Sequence, residues 1–111
     1  MLTPEAVVER QFAAYQARDL EAFVSTYAPD AVVTKLGDAA PLAVGHEQLR
    51  EVYGRLFAGN PGLRCELVDR FVKGDIVVDR EKVSGLVGSP DFEGLVIYQV
   101  RHGLIVRAWG V

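Results

Sequence analysis

The chain has 111 residues, half of them apolar and 24% charged, which is one ordinary globular domain with room for a real core but not for two. Its formal charge of −3 argues against nucleic acid or an anionic membrane, since no basic face is needed to explain the composition, so neither is expected as a partner. The single cysteine, Cys65, has no internal partner for a disulfide and points to a reducing compartment. Met1-Leu2-Thr3-Pro4-Glu5 has neither the basic nor the apolar part of a secretory signal, and no apolar run reaches the length of a membrane span, so a cytoplasmic location is expected.

In chain order, Thr3-Pro4-Glu5 reads as a helix start, with Thr3 as cap, Pro4 at the first position and Glu5 at the positive end of the dipole. Val8, Phe12 and Tyr15, with Val7 and Ala14, make an apolar stripe to about Ala17. Asp19 caps a second short helix whose inward face is Leu20, Phe23, Val24 and Tyr27. Pro29 removes an amide and restricts Ala28, so that helix is predicted to end there, with Asp30 turning the chain into a strand over 31–35. Gly37-Asp38-Ala39-Ala40-Pro41 is a loop. Gly45-His46-Glu47 opens a third helix with Leu49, Val52, Tyr53, Leu56 and Phe57 on one face, and Gly59-Asn60-Pro61-Gly62 ends it.

The rest reads as a meander of four strands: Leu63–Val72, Ile76–Val87, Phe92–Arg101 and Leu104–Val111. Lys73-Gly74-Asp75, Gly88-Ser89-Pro90-Asp91 and His102-Gly103 are hairpin turns, so these strands should pair antiparallel. The order α-α-β-α-β-β-β-β is that of an α+β domain with helices on one face of a bent sheet.

Few residues promise chemistry. Alternation puts Val77, Asp79, Glu81 and Val83 on one face of the second long strand, and Val78, Arg80, Lys82 and Ser84 on the other. Phase alone leaves two placements open. Turned inward, Asp79 and Glu81 would be two carboxyls in an apolar site, one of them pushed toward protonation, an acid and base pair. Turned to the mouth or outward, they would pair with Arg70, Arg80 or Arg107. Tyr15, Tyr27, Tyr53 and Tyr98 are either pocket-lining hydroxyls or core residues, and Trp109 lines a cavity or covers the other face of the sheet. Asp30, His46 and His102 read as turn and surface residues, and Cys65 as a small buried one. The spacing of histidines and cysteine suits no metal, and phosphate loops and nucleophile elbows are missing, so no metal and no cofactor are expected.

Certain words in the chain carry a resemblance: Ala17-Arg18-Asp19-Leu20, Tyr27-Ala28-Pro29-Asp30-Ala31-Val32, Gly45-His46-Glu47, and the closing run from Tyr98 to Trp109. Together with the element order they make the whole domain similar to the NTF2-like superfamily, in its SnoaL-like and ketosteroid-isomerase-like branch. The resemblance implies an NTF2-like (cystatin-like) cone, a strongly curved antiparallel sheet wrapped around the N-terminal helices. It also implies an apolar pocket and a homodimer through the other face of the sheet. Ketosteroid isomerase chemistry is not implied. The family's base position falls near Lys35, its first-helix tyrosine at Gln11, and its protonated acid at Ile97. The epoxide-hydrolase pattern fails as well, since Asp79-Arg80-Glu81-Lys82 puts two acids in phase and the last strand has no carboxylate.

The expected site is an apolar pocket between the first and third helices and the sheet, lined by Phe12, Tyr15, Tyr53, Phe57 and Tyr98 with Trp109 near, and served by Asp79 and Glu81. Two functions fit it: a cofactor-independent isomerase, dehydratase or hydrolase on a small apolar ring-containing molecule, or a non-catalytic module binding a small molecule or a protein.

Overall fold

The computed structural model describes residues 2–111. Three helices, α1 (Pro4–Ala17), α2 (Leu20–Ser25) and α3 (Gly45–Gly59), accompany six strands: β1 (Tyr27–Lys35), β2 (Ala43–Val44), β3 (Arg64–Lys73), β4 (Ile76–Ser84), β5 (Phe92–Arg101) and β6 (Leu104–Gly110). The strands form one sheet in the order β2-β1-β6-β5-β4-β3. Local chemistry sets the helix ends. The Thr3 hydroxyl accepts from the Ala6 amide and the Asp19 carboxylate from the Ala22 amide. Arg18 closes α1 in the left-handed conformation, and its guanidinium donates to the carbonyls of Pro61 and Leu63, tying the first helix to the loop after the third.

The sheet is mixed, where an antiparallel one was expected, and the difference lies at a single pairing. The hairpin-linked strands β3 to β6 do pair antiparallel, but β1 lies parallel to β6. Most of the domain separates those two strands in sequence, so no hairpin constrains their direction. The first joint also moves. Helix α2 stops at Ser25 and β1 starts at Tyr27, before Pro29, because the Ile105 amide donates to the Thr26 carbonyl and draws the chain onto β6. Between Tyr27 and Val32 the register against β6 slips, and Pro29 and Asp30 stand out exposed in that bulge.

One row of inward side chains crosses the sheet: Val77, Tyr98, Ala108 and Val33, register partners on four adjacent strands, all buried. Val7 and Val8 of α1, Phe23 and Val24 of α2, and Leu49 of α3 close the same core. The opposite row, Phe71, Val78, Ile97 and Trp109, lies on the outer face, with Phe71 65% exposed. At the edge, Gln16 of α1 holds β3 by giving its amide to the Cys65 carbonyl and accepting from the Cys65 amide. No helix among the described residues is long and apolar enough to cross a membrane.

Strand β4 ends at Ser84, short of Val87. Gly85 has φ +80° and lies so close to the loop after α3 that a Cβ there would sit 1.9 Å from the Gly62 carbonyl oxygen. The Val87 amide then bonds the Asn60 side chain instead of a strand. Gly85→Ala should therefore cost about 3 kcal/mol or more, because backbone has to move. Gly74→Ala, at φ +58° with nothing within 4 Å, should cost only about 1 kcal/mol. Urea denaturation of both variants measures the difference, and equal losses would contradict the close crossing.

Candidate functional site

Where α1 and α3 leave the inner face of the sheet uncovered, a cavity of about 910 Å³ opens. Part of the room comes from glycine. Gly94 and Gly110 both stand on the wall, and a Cβ at Gly110 would meet nothing within 4 Å. The wall is mainly apolar, with Phe12, Val33, Val52, Val83, Val96 and Ala108 among its residues. Leu42, Phe92 and Val111, 56%, 47% and 60% exposed, ring the mouth with Lys35 and Arg55.

The structure turns the acid-bearing face of β4 inward. Asp79 is 0% exposed and Glu81 8%. Their situations differ sharply. Asp79 lies opposite Arg70 of β3, which donates from Nε to Oδ1 at 2.7 Å and from Nη2 to Oδ2 at 2.9 Å, a bidentate pair; Arg70 also reaches Glu9 of α1. Those bonds, above all the one to Asp79, push the Arg70 proton affinity further up. Asp79 is off the cavity wall, so its expected place beside a ligand is corrected: the bidentate bonds turn it toward β3. Glu81 is on the wall, and its register partners are Leu67 and Gly94, which bring no polar side chain. Burial, seconded by the charge of Asp79 and opposed by that of Arg70, pushes its carboxyl from 4.5 up to about 7.

Phe12, Tyr15, Tyr53 and Tyr98 stand on the same wall. Phe57 and Trp109 do not. Phe57 packs edge-on against Tyr15 at 5.3 Å, behind the wall, and Trp109 falls on the outer face beside Ile97. The wall also holds residues that stripe and alternation arguments passed over. Gln11 is buried and donates to the Tyr27 hydroxyl at 3.1 Å; a lone amide in the valine stripe of α1 was the signal for it. Cys65 lines the cavity too, as does Tyr27, one of the four candidate hydroxyls. Burial raises the proton affinities of these groups, Tyr53 to about 12 and Cys65 to about 11, and those of Tyr15, Tyr27 and Tyr98 further, so they stand as neutral donors. The arrangement is one exchangeable carboxyl facing several hydroxyls across an apolar space, and it can move a proton to or from a carbon acid while donating hydrogen bonds to an oxygen. Among the described residues, no three histidine, cysteine or acidic side chains come together as metal ligands.

This geometry has known relatives. Residues 8–108 match the family model of the SnoaL-like domain, and the chain belongs to that family. An uncharacterised cystatin-fold protein from Novosphingobium aromaticivorans superposes with a TM-score of 0.91 at 24% identity, covering 100% of this chain and 99% of its own. A candidate polyketide cyclase from Sinorhizobium meliloti gives 0.83 at 25% identity, with 95% and 93% covered. IdmH, a candidate polyketide cyclase from Streptomyces antibioticus, gives 0.80 at 27% identity, with 99% and 91% covered. The chain matches no curated protein. The fold is thus a cystatin-like, NTF2-like α+β cone.

A carboxyl raised by burial leaves a signature in stability. Its folded state holds the proton more tightly than the unfolded one, so the cost of ionising it is absent below about pH 4.5, grows as the pH rises, and is complete above about 7. The full cost is on the order of 3 kcal/mol. Glu81→Gln should be more stable than the parent at pH 8, and the gap should close toward pH 4.5. Urea melts at the two pH values check this; a gap that does not vary with pH would show Glu81 titrating normally.

Proposed function

We propose that the chain is a cofactor-independent acid–base enzyme acting on a small, largely apolar, ring-containing molecule, with Glu81 as the group that moves the proton. One observation carries this reading: Glu81 is a carboxyl without a hydrogen-bond partner among the described residues, on the wall of an apolar cavity, with burial pushing its proton affinity up to about 7. A carboxyl so poised can remove a proton from carbon and return it elsewhere. Tyr15 and Tyr53 are the donors for the oxygen on which negative charge would develop. Isomerisation, dehydration and ring closure all begin from such a transfer, while hydrolysis would have the same carboxyl take its proton from water, and ring closure accords with the candidate polyketide cyclases among the structural relatives. The test is a panel of cyclic ketones and enones in deuterated water, followed by mass spectrometry for exchange and product. The parent should exchange or convert at least one member, and Glu81→Gln should lower that rate by at least about 100-fold while still binding N-phenyl-1-naphthylamine in the cavity. Binding without turnover in the parent would favour the non-catalytic module.

The same proposal includes a homodimer. Phe71, Val78, Ile97 and Trp109 form an unbroken apolar row across the outer face, and a second copy of this face covers it. Light scattering at micromolar concentration should give about twice the 12.2 kDa chain mass, and Phe71→Asp should return the monomer. A parent of 12.2 kDa would rule the dimer out.

A further inference from the structure

The inward phase of β3 changes at a single residue. Cys65 and Leu67 lie opposite Val83 and Glu81, but Asp69 lies opposite Arg80 and Arg70 opposite Asp79, so Val68 is an extra residue against β4. A regular strand continuing from Leu67 would carry Asp69 inward against Asp79 and leave Arg70 outside. The bulge reverses this. Arg70 turns in, its side chain 8% exposed, and holds both oxygens of Asp79. Asp69 turns out and meets Arg80 at 2.9 Å, and Phe71 turns out beside Val78. Two residues along β4, Glu81 faces Leu67 and Gly94 and has no such partner.

We propose that the bulge at Val68 makes Arg70 and Asp79 positioning residues for Glu81: closed on each other, they cancel most of each other's charge and leave Glu81 as the one cavity carboxyl free to exchange a proton. The inference rests on the reading of Glu81 as the acid–base group. The other titratable groups around Glu81 are Tyr15 from α1, Tyr27 from β1, Tyr53 from α3, Cys65 from β3 and Tyr98 from β5. All five have raised proton affinities and are neutral near pH 7, so the charges that Glu81 senses there are those of Arg70 and Asp79, with Glu9 behind them at the surface. Were Arg70 not neutralised, a full positive charge about 7 Å away along the sheet would hold Glu81 ionised and spoil it as a proton carrier. Pairing with Asp79 cancels most of that field, and burial then decides.

The carboxyl carbon of Glu81, followed by NMR across pH, reads the effect directly and needs no substrate. Asp79→Asn should lower the Glu81 midpoint by about one pH unit or more, because Arg70 is left uncompensated. Arg70→Lys, which keeps the charge, should hold the midpoint within about 0.3 unit while losing the bidentate bonds. Glu9→Gln, at an exposed site, should lower it by less than Asp79→Asn does, for the same reason. A folded Asp79→Asn variant with an unmoved midpoint overturns the proposal, as does a large shift in Arg70→Lys. If Asp79→Asn does not fold, Glu9→Gln decides, and no downward shift there overturns it too. A parent midpoint near 4.5 would refute instead the acid–base reading of Glu81, a separate outcome visible in the parent alone.

Discussion

Five aromatic rings decide what the inside of this molecule can be. Tyr15, Phe23, Tyr27, Tyr53 and Phe57 meet with centroids 4.5 to 6.5 Å apart, mostly tilted or edge to face. On one side they complete the close-packed core with Val7, Val24 and Leu49; on the other, Tyr15, Tyr27 and Tyr53 form part of the cavity wall. Leucines in their place would pack the core as well but would carry no hydroxyls across the boundary. A phenol does both jobs, apolar body in the core and polar tip at the wall, and an otherwise apolar cavity thereby gains hydrogen-bond donors.

Charge inside such a core has to be dealt with strand by strand. A carboxylate taken out of water costs several kcal/mol unless something compensates it. Asp79 is compensated by a bidentate guanidinium, and the third bond of that guanidinium runs to the surface at Glu9, so the pair is stitched to α1 as well as to β3. Glu81 takes the other route and holds its proton to higher pH. Two acids on one strand face, two residues apart, thus meet burial in different ways, Asp79 through a guanidinium partner and Glu81 through a raised proton affinity.

Much of this fold was legible in the amino-acid sequence, and the parts that were not share a cause. Helix caps, glycine turns and the order of elements depend on neighbours in sequence, and Thr3, Asp19 and His102-Gly103 behave as local rules require. Alternation correctly put Asp79 and Glu81 on one face, yet nothing local said which face was inner; that is decided by α1 lying against β4 and β5, with Val77 and Tyr98 in the shared core. The bulge at Val68 is likewise invisible, since Leu67-Val68-Asp69 reads as plain strand, and it changed the partner of every later residue in β3. Hence Arg70 could be suspected as a partner for Asp79 but not placed. The parallel pairing of β1 with β6 is a contact between distant segments, and the expected antiparallel sheet erred there. Phe57 and Trp109 erred by one step of rotation: on a helix stripe Phe57 is a neighbour of Tyr53, but the ring turns behind Tyr15, and Trp109 alternates with the cavity residues Ala108 and Gly110.

The position of the acid also bears on why one cone can serve many reactions. Lys35 stands on this cavity wall, Gln11 faces Tyr27 where the resemblance would put a tyrosine, and Ile97 points to the outer face. The carboxyl comes from the middle of β4 instead. Every strand of a curled sheet presents alternate residues to the same enclosed space, so a carboxyl can reach a bound molecule from several strands at nearly equal cost to the fold. What chemistry requires is narrower: one acid left without a partner, donors across from it, and walls dry enough to keep its proton. In this chain the inner-face carboxyl on the cavity wall is that of Glu81, while the register of β3 closes Arg70 on the neighbouring Asp79.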